Sequence, residues 1–204
     1  MPDGTLRITL PKWGARHEAH AFIQASHAWI ARQRAFLRQR PAAPAPWGDG
    51  TRFLLDGHEA IVRIATNRSR LTISSGESVI VTLAANRGEI RATVEAWLQD
   101  RARRELPTLL LALADTHGIS VPRVSVRNQR ARWGACSTSG TITLNWRLIQ
   151  APPFVREYVL LHELMHRREM NHSRRFWRLV AACCPRHAEA RQWLRREGKA
   201  LWSD

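Results

Sequence analysis

The sequence predicts an α+β protein with two lobes. Between residues 52 and 83, short segments alternate apolar and polar side chains, which is typical of strands with one side in the core. Over residues 88–116 apolar residues recur at helical spacing, and an apolar helical segment at 154–161 runs into His162. We therefore expect a mostly antiparallel β-rich lobe with one helix over residues 1–86, and a mainly helical lobe with a short sheet over 87–204.

The N-terminal lobe is expected to begin with a strand at 6–10 and a helix at 15–38. Residues 41–50 contain too many prolines and glycines for regular structure, and they predict a loop. Strands are expected near 52–55 and 59–65, because Asp56-Gly57 between them favours a tight hairpin. Two further strands, at 70–74 and 79–83, would complete the sheet.

The C-terminal lobe is expected to open with the helix at 88–116, kinked at Pro107 and ended by Gly118. A strand at 123–128 would lead through a loop to a strand at 141–146, followed by a helix that begins at Pro152-Pro153. Two helices, near 173–183 and 186–200, end the lobe. The strand at 141–146 is either an edge along which a peptide can pair or an inner strand of the sheet.

The segment His-Glu-Leu-Met-His at 162–166 is the most informative in the chain. Histidines four positions apart share one face of a helix, so His162 and His166 can reach the same cation. Glu163 beside them can hold a water at that cation and accept its proton. A catalytic zinc site uses such ligands and keeps one position open for water. The segment therefore predicts a hydrolase, most readily a peptidase, with one Zn²⁺ per chain and Glu163 as general base.

His172 follows six residues after the second helix histidine and is the favoured third ligand. Asn171 tolerates a left-handed conformation and Ser173 is a good N-cap, so the chain can end one helix, present a ligand and start another. The alternative is a carboxylate from a later helix, for which Glu189 is the best candidate. His187 is a weaker alternative.

Other residues near this motif have more than one interpretation. Tyr158 lies one turn before His162 on the same helical face, where it can assist an oxyanion, orient a ligand or fill the core. Arg132 can bind a substrate carbonyl or an acidic side chain, or it can form an internal ion pair. Asn145 is a further candidate for substrate binding. Cys136 is expected to be a small buried residue and not a nucleophile.

Several words of the sequence, in order over residues 130–182, resemble the YgjP-like metallopeptidases, and more distantly the SprT-type and WLM-type proteases. They are Arg-Trp-Gly-Ala-Cys-Ser at 132–137, Ile-Thr-Leu-Asn-Trp-Arg-Leu-Ile at 142–149, Ala-Pro at 151–152, Tyr-Val-Leu-Leu-His-Glu-Leu-Met-His at 158–166, Asn-His-Ser at 171–173 and Phe-Trp at 176–177. Weaker similarity extends over nearly the whole chain. The resemblance implies a zincin-like catalytic lobe, zinc ligands at His162, His166 and His172, and catalysis by Glu163. Departures from the usual family residues occur outside these positions, at Ala135, Met165 and Arg167.

The net charge is +15, with 32 lysines and arginines against 17 acidic residues. This excess favours attraction to DNA or another polyanion, although arginines that simply cover solvated helix faces give the same composition. The SprT and WLM proteases act on proteins attached to DNA, so the resemblance implies protein substrates associated with nucleic acid. The alternative is a non-catalytic, basic nucleic-acid-binding protein with a structural zinc. Three evident ligands and an intact Glu163 favour the enzyme, because structural zinc sites normally have four protein ligands.

The remaining composition bears on the compartment. No apolar run approaches the length that spans a bilayer, and the first residues lack the features of a signal peptide. Three cysteines, two of them adjacent, suit a reducing environment better than a disulfide framework. We therefore expect a cytoplasmic protein with a protein or peptide substrate and no membrane partner.

Overall fold

The computed structural model describes residues 15–38, 46–66, 70–84 and 90–202. The chain divides into two compact units, Met1–Ala45 and Pro46–Asp204. The β-rich segment therefore belongs to the second unit here, and the lobe boundary near residue 86 stays a prediction. The strand expected at 6–10 and the proline-rich part of the loop at 41–45 lie outside the described residues.

In the first unit, the single helix expected at 15–38 consists of two helices, α1 (Arg16–Ala25) and α2 (His27–Arg38). The interruption is one residue, Ser26. Serine disfavours helix interiors because its hydroxyl can form hydrogen bonds with nearby backbone groups in competition with the helix. Its backbone N–H still donates to the Phe22 carbonyl at 2.9 Å, in the helical pattern. The prediction of one continuous helix is therefore corrected to two helices separated at Ser26.

The second unit begins with the expected antiparallel sheet of four strands, in the order β1-β2-β3-β4. The strands are β1 (Arg52–Leu55), β2 (His58–Ile64), β3 (Arg70–Ser75) and β4 (Ser78–Ala84). The hairpin predicted at Asp56-Gly57 is confirmed, because both residues have positive φ, 52° and 82°. One face of the sheet packs in the core through Leu55, Ala60, Val62, Leu71 and Ile73.

Helix α3 (Ile90–Thr116) follows and continues through Pro107. One face of this helix is buried at a spacing of four residues, which is a core stripe. Its members are Val94, Leu98, Ala102, Leu106, Leu110 and Ala114. This stripe packs against a 3₁₀ helix, Trp146–Gln150, whose residues are all buried.

A second, three-stranded sheet has the order β5-β7-β6. Strand β5 (Arg123–Arg127) runs parallel to β7 (Thr141–Asn145), and β6 (Gly134–Cys136) runs antiparallel to it. The sequence predicts only a loop where β6 lies, because three residues that begin with glycine carry no strand pattern. β7 is the inner strand, so the edge alternative for 141–146 is wrong. Among the strands that the structure describes, β6 lies at one edge of this sheet instead.

Three helices complete the chain: α4 (Pro153–Met165), α5 (Arg174–Cys183) and α6 (His187–Arg196). Pro153 starts α4 at a position where the missing N–H costs no hydrogen bond. The helix is buried around most of its circumference, as expected for a helix at the centre of a domain. The α+β fold class predicted from the sequence is confirmed. Across the part of the chain that the structure describes, no helix is both long and apolar enough to cross a bilayer.

The β1–β2 turn fixes the start of α4. Gly57 lies against Pro152, and a Cβ atom on this glycine would come within 2.6 Å of the proline ring. The Asp56 carboxylate accepts a hydrogen bond from Arg156 of α4 at 2.9 Å and pairs with Arg101 of α3 at 2.7 Å. The turn therefore holds α3 and α4 in a defined relation, and α4 carries the histidine motif.

Candidate active site

The last turn of α4 and the segment after it present three histidines. His162 lies within α4 and His166 is its C-cap residue. The side chain of Ser173 accepts a hydrogen bond from the Phe176 N–H and caps α5, so the N-cap predicted from the sequence is present. His172 immediately precedes this cap, and the reversal of the chain returns it to α4.

One ring nitrogen from each of His162, His166 and His172 lies within 4.8 Å of the corresponding nitrogens of the other two. The Nε2 atoms of His162 and His172 are 3.1 Å apart. Two nitrogens that bind one tetrahedral zinc at 2.0–2.1 Å are about 3.3 Å apart. The spacing of these two rings therefore fits a shared metal ion.

The outer nitrogens of the two helix histidines have polar neighbours. His166 Nδ1 lies 3.1 Å from the Glu169 carbonyl, which can only accept, so this nitrogen carries the proton. His162 Nδ1 lies 3.5 Å from the Tyr158 hydroxyl. The proton on His166 Nδ1 leaves Nε2 of that ring free to offer its lone pair, the arrangement usual for histidine ligands.

The protonation state of the rings also suits a metal. Burial, followed by the neighbouring histidines, lowers the pKa of His162 to about 3. Burial also lowers the pKa of His166. Both rings are consequently neutral at neutral pH and can act as ligands.

Aromatic side chains of α5 support the three imidazoles. Phe176 is fully buried and its ring stacks on His166, with centroids 4.4 Å apart and an interplanar angle of 22°. The same ring lies 4.9 Å from the centroids of both His162 and His172. A rigid aromatic ring in contact with all three histidines limits their rotation, so the set is pre-organised.

Glu163 is the acidic group of the site and is 5 % exposed. Burial raises the pKa of its carboxyl to about 8, and the nearby Arg132 guanidinium opposes that rise. The side chain lies against β6 at Gly134, where an added Cβ atom would come within 2.6 Å of Glu163 atoms. Only glycine at this position leaves room for the carboxylate beside the histidines.

Two cavities meet at Glu163, and each is also lined by His162, Arg132 and Gly134. One, of about 250 Å³, has a largely apolar wall completed by Trp133, Tyr158, Val159 and Leu194. The other, of about 350 Å³, is completed by Ala135, Cys136, His166, Met170 and His172. A substrate can therefore extend to both sides of the carboxylate.

The three candidate substrate-binding residues occupy different positions. Arg132 is exposed and lines both cavities. Tyr158 lines the smaller cavity with its hydroxyl at His162, and burial raises its pKa to about 12. Asn145 is completely buried and lies outside both cavity walls. Its amide donates to the Gln129 and Arg132 carbonyls at 2.8 and 3.0 Å, so it holds a loop instead of facing substrate.

The alternative third ligands, Glu189 and His187, do not join the histidine cluster and have other partners. Glu189 is exposed and pairs with Arg186 at 2.7 Å, and His187 Nδ1 lies 3.0 Å from the Cys184 carbonyl. Cys136 lines the larger cavity and is half-buried. Burial and then Glu163 raise its thiol pKa, which disfavours the thiolate that a nucleophile needs.

Sequence reasoning missed the contributions of Gly134, Phe176 and Arg191. Gly134 and Phe176 lie in two of the motifs that resemble the family, at 132–137 and 176–177, and these motifs could have drawn attention to them. Their contacts with Glu163 and the histidines, however, depend on the fold. Arg191 of α6 lies over the Trp177 ring at 4.5 Å, and its charge lowers the pKa of His162. Nothing in the sequence around position 191 indicates this proximity.

Comparison with known proteins places the chain in a family. No protein of curated function matches it. The crystal structure of the metallopeptidase zymogen of Pyrococcus abyssi abylysin is similar to this chain, with 29 % sequence identity and a TM-score of 0.40. The match covers 45 % of this chain and 95 % of the abylysin chain. The YgjP-like metallopeptidase domain model matches residues 1–197. The chain therefore belongs to the YgjP-like metallopeptidase family.

Proposed function

We propose that this chain is a zinc-dependent peptidase that hydrolyses peptide bonds with Glu163 as general base. The observation that carries the proposal is the placement of a buried carboxylate between two open cavities, directly beside three clustered imidazoles. Membership of a metallopeptidase family supports the same activity.

The donor set supports a catalytic ion over a structural one. Three imidazole nitrogens suit zinc, and one Zn²⁺ per chain is what a single set would bind. Within the described ranges, no further histidine, cysteine, aspartate or glutamate joins His162, His166 and His172. A structural zinc would need a fourth protein ligand, so the alternative of a non-catalytic nucleic-acid-binding protein with a structural zinc is disfavoured.

The residues of the site have distinct roles in the proposed reaction. Zinc, when bound, would supply a Lewis acid for the scissile carbonyl and a lowered pKa for water. Glu163 accepts the proton of the attacking water and then donates it to the leaving nitrogen. Tyr158 orients the His162 ring, and Phe176 holds the three imidazoles in place.

The edge strand β6 offers a path for the substrate. It pairs with β7 on one side, and Gly134 at its start contacts Glu163. An extended peptide paired along the other side would lie next to the catalytic carboxylate. We propose that substrates bind in this extended form.

The proposed partners and compartment rest on composition. A net charge of +15 supports protein substrates that are associated with DNA or another polyanion. Cys136, Cys183 and Cys184 are free thiols, which favours a reducing compartment, and we place the protein in the cytoplasm.

Cleavage of an unfolded protein substrate by the zinc-loaded chain tests the proposal. We expect Glu163→Gln to keep its zinc and to lose at least about a hundredfold in rate, because a general base contributes that much or more. Full activity in Glu163→Gln would contradict the assigned base. DNA binding without cleavage by the unmutated, zinc-loaded protein would favour the non-catalytic alternative.

A further inference from the structure

Arg132 is a cation at the centre of the cleft. It is exposed, it lines both cavities, and its charge acts on the Glu163 carboxyl. Within the described ranges, its guanidinium has no hydrogen bond or ion pair with another residue. The internal ion pair considered from the sequence is therefore not formed in that part of the chain.

The backbone that carries Arg132 is held in place. Asn145, which is completely buried, donates one amide proton to the Gln129 carbonyl and the other to the Arg132 carbonyl, at 2.8 and 3.0 Å. The Asn145 N–H also donates to the Trp133 carbonyl at 2.8 Å. The loop is thus fixed on both sides of Arg132, which reduces the entropy lost when its side chain binds a ligand.

The rest of the cleft has the same sign of charge. Among the described lining residues, Glu163 is the one carboxylate in either cavity. Arg191, held over the Trp177 ring, acts on both His162 and Tyr158 from the α6 side. A cleft with Arg132 in its wall, Arg191 nearby and a single anion that the proposed reaction uses attracts negatively charged ligands.

From these observations we propose that the site selects peptides that carry a carboxylate next to the scissile bond, and that Arg132 binds this carboxylate. The inference rests on the proposed peptidase function and names its substrate class. The planar guanidinium can hold a carboxylate through two parallel hydrogen bonds. The carboxylate can come from an aspartate or glutamate side chain, or from the C-terminus of a short peptide.

A binding experiment with catalysis switched off tests the proposal. The zinc-loaded Glu163→Gln protein is titrated with three fluorescent hexapeptides: one with a central glutamate and an amidated end, one with glutamine there and an amidated end, and one with glutamine and a free C-terminus. We expect the glutamate peptide, or the free-carboxylate peptide, to bind about tenfold more tightly than the neutral one, as for a charge-assisted hydrogen bond. Whichever of the two is preferred identifies the source of the carboxylate.

Variants in the same background separate Arg132 from general charge effects. Arg132→Gln should remove the preference, and Arg132→Glu should reverse it towards a matched lysine peptide. Arg103→Gln is the matched control, since Arg103 is exposed on α3, contacts Gln99 and lies outside both cavity walls. This control should keep the full preference.

Equal affinity for charged and neutral peptides would overturn the proposal. A preference that survives in Arg132→Gln, or that falls equally in Arg103→Gln, would also overturn it. The outcome is separable from the proposed function. Cleavage of charged and neutral peptides at equal rates by the protein with intact Glu163 would leave the peptidase and remove the subsite. A binding preference without any cleavage would support the carboxylate subsite and contradict the proposed peptidase activity.

Discussion

At the scale of single residues, Glu163 combines burial with the need to ionise. A folded-state pKa of about 8, against an ordinary value of 4.5, means that the folded protein without metal holds this proton more tightly than the unfolded chain. Stability is therefore lost as the pH rises from about 4.5 towards about 8. Each unit of difference corresponds to about 1.4 kcal/mol.

We therefore expect Glu163→Gln to stabilise the metal-free protein at pH 8, because glutamine has the same shape and does not ionise. At pH 5 the two proteins should differ much less. Urea denaturation of both metal-free proteins at the two pH values measures this difference directly. A gap of the same size at both pH values would mean that the carboxyl does not titrate in the way its burial implies.

Whether the role of a site residue could be predicted from the sequence depends on how far along the chain its partners lie. The spacing of His162, Glu163 and His166 is a property of one helix, so the local sequence is sufficient to group them. His172 needs only the short reversal capped by Ser173, and the structure does bring it to the other two histidines. Asn145 is different, because its role depends on carbonyls 13 and 16 residues away along the chain.

At the scale of elements, the contact between β6 and α4 determines whether the carboxylate fits. Gly134→Ala would place a methyl group about where the Glu163 side chain lies, since an ideal Cβ comes within 2.6 Å of it. We expect this variant to keep its metal and to lose activity by at least about tenfold, because misplacing a catalytic group by about 1 Å is costly. Elemental analysis and a cleavage assay on the same sample measure the two effects.

Gly48→Ala is the matched control for this change. An added Cβ at Gly48 meets no atom within 4 Å, so this variant should retain full activity. Equal activity in both alanine variants would contradict the close packing of β6 on Glu163, the proposed general base.

The elements that sequence could predict are those with a long local pattern. The strands of the first sheet and helices α3 to α6 follow from periodicity and from turn residues. β6 is too short for such a pattern, and whether β7 is inner or outer depends on its pairing with β6. The break at Ser26 interrupts a continuous apolar pattern by a single residue, which periodicity does not detect.

At the scale of the whole molecule, non-local contacts could not be predicted. The hydrogen bond between Arg156 and Asp56 joins residues 100 positions apart and fixes the start of α4. Each partner alone resembles an ordinary surface charge in the sequence. The net charge, by contrast, needs no structure, and it supports a prediction about polyanions.

We expect the protein to bind double-stranded DNA without sequence preference at 50 mM salt. The affinity should fall steeply with salt, because binding releases counterions. A plot of the logarithm of the association constant against the logarithm of the salt concentration should have a slope of about −0.9 for each phosphate contacted. Fluorescence anisotropy at several salt concentrations gives the slope, and Glu163→Gln should behave as the unmutated protein does. Absence of binding at 50 mM salt would remove nucleic acid from the proposed partners.

The metal content of the purified protein, and of its His172→Ala variant, tests the central claim most directly. We expect about one zinc per chain in the unmutated protein and a large loss in the variant, because two imidazoles hold zinc much less tightly than three. Elemental analysis of both proteins after dialysis against zinc and then buffer gives the answer. An unmutated protein that retains no zinc, or a variant that retains all of it, would contradict the three-histidine site.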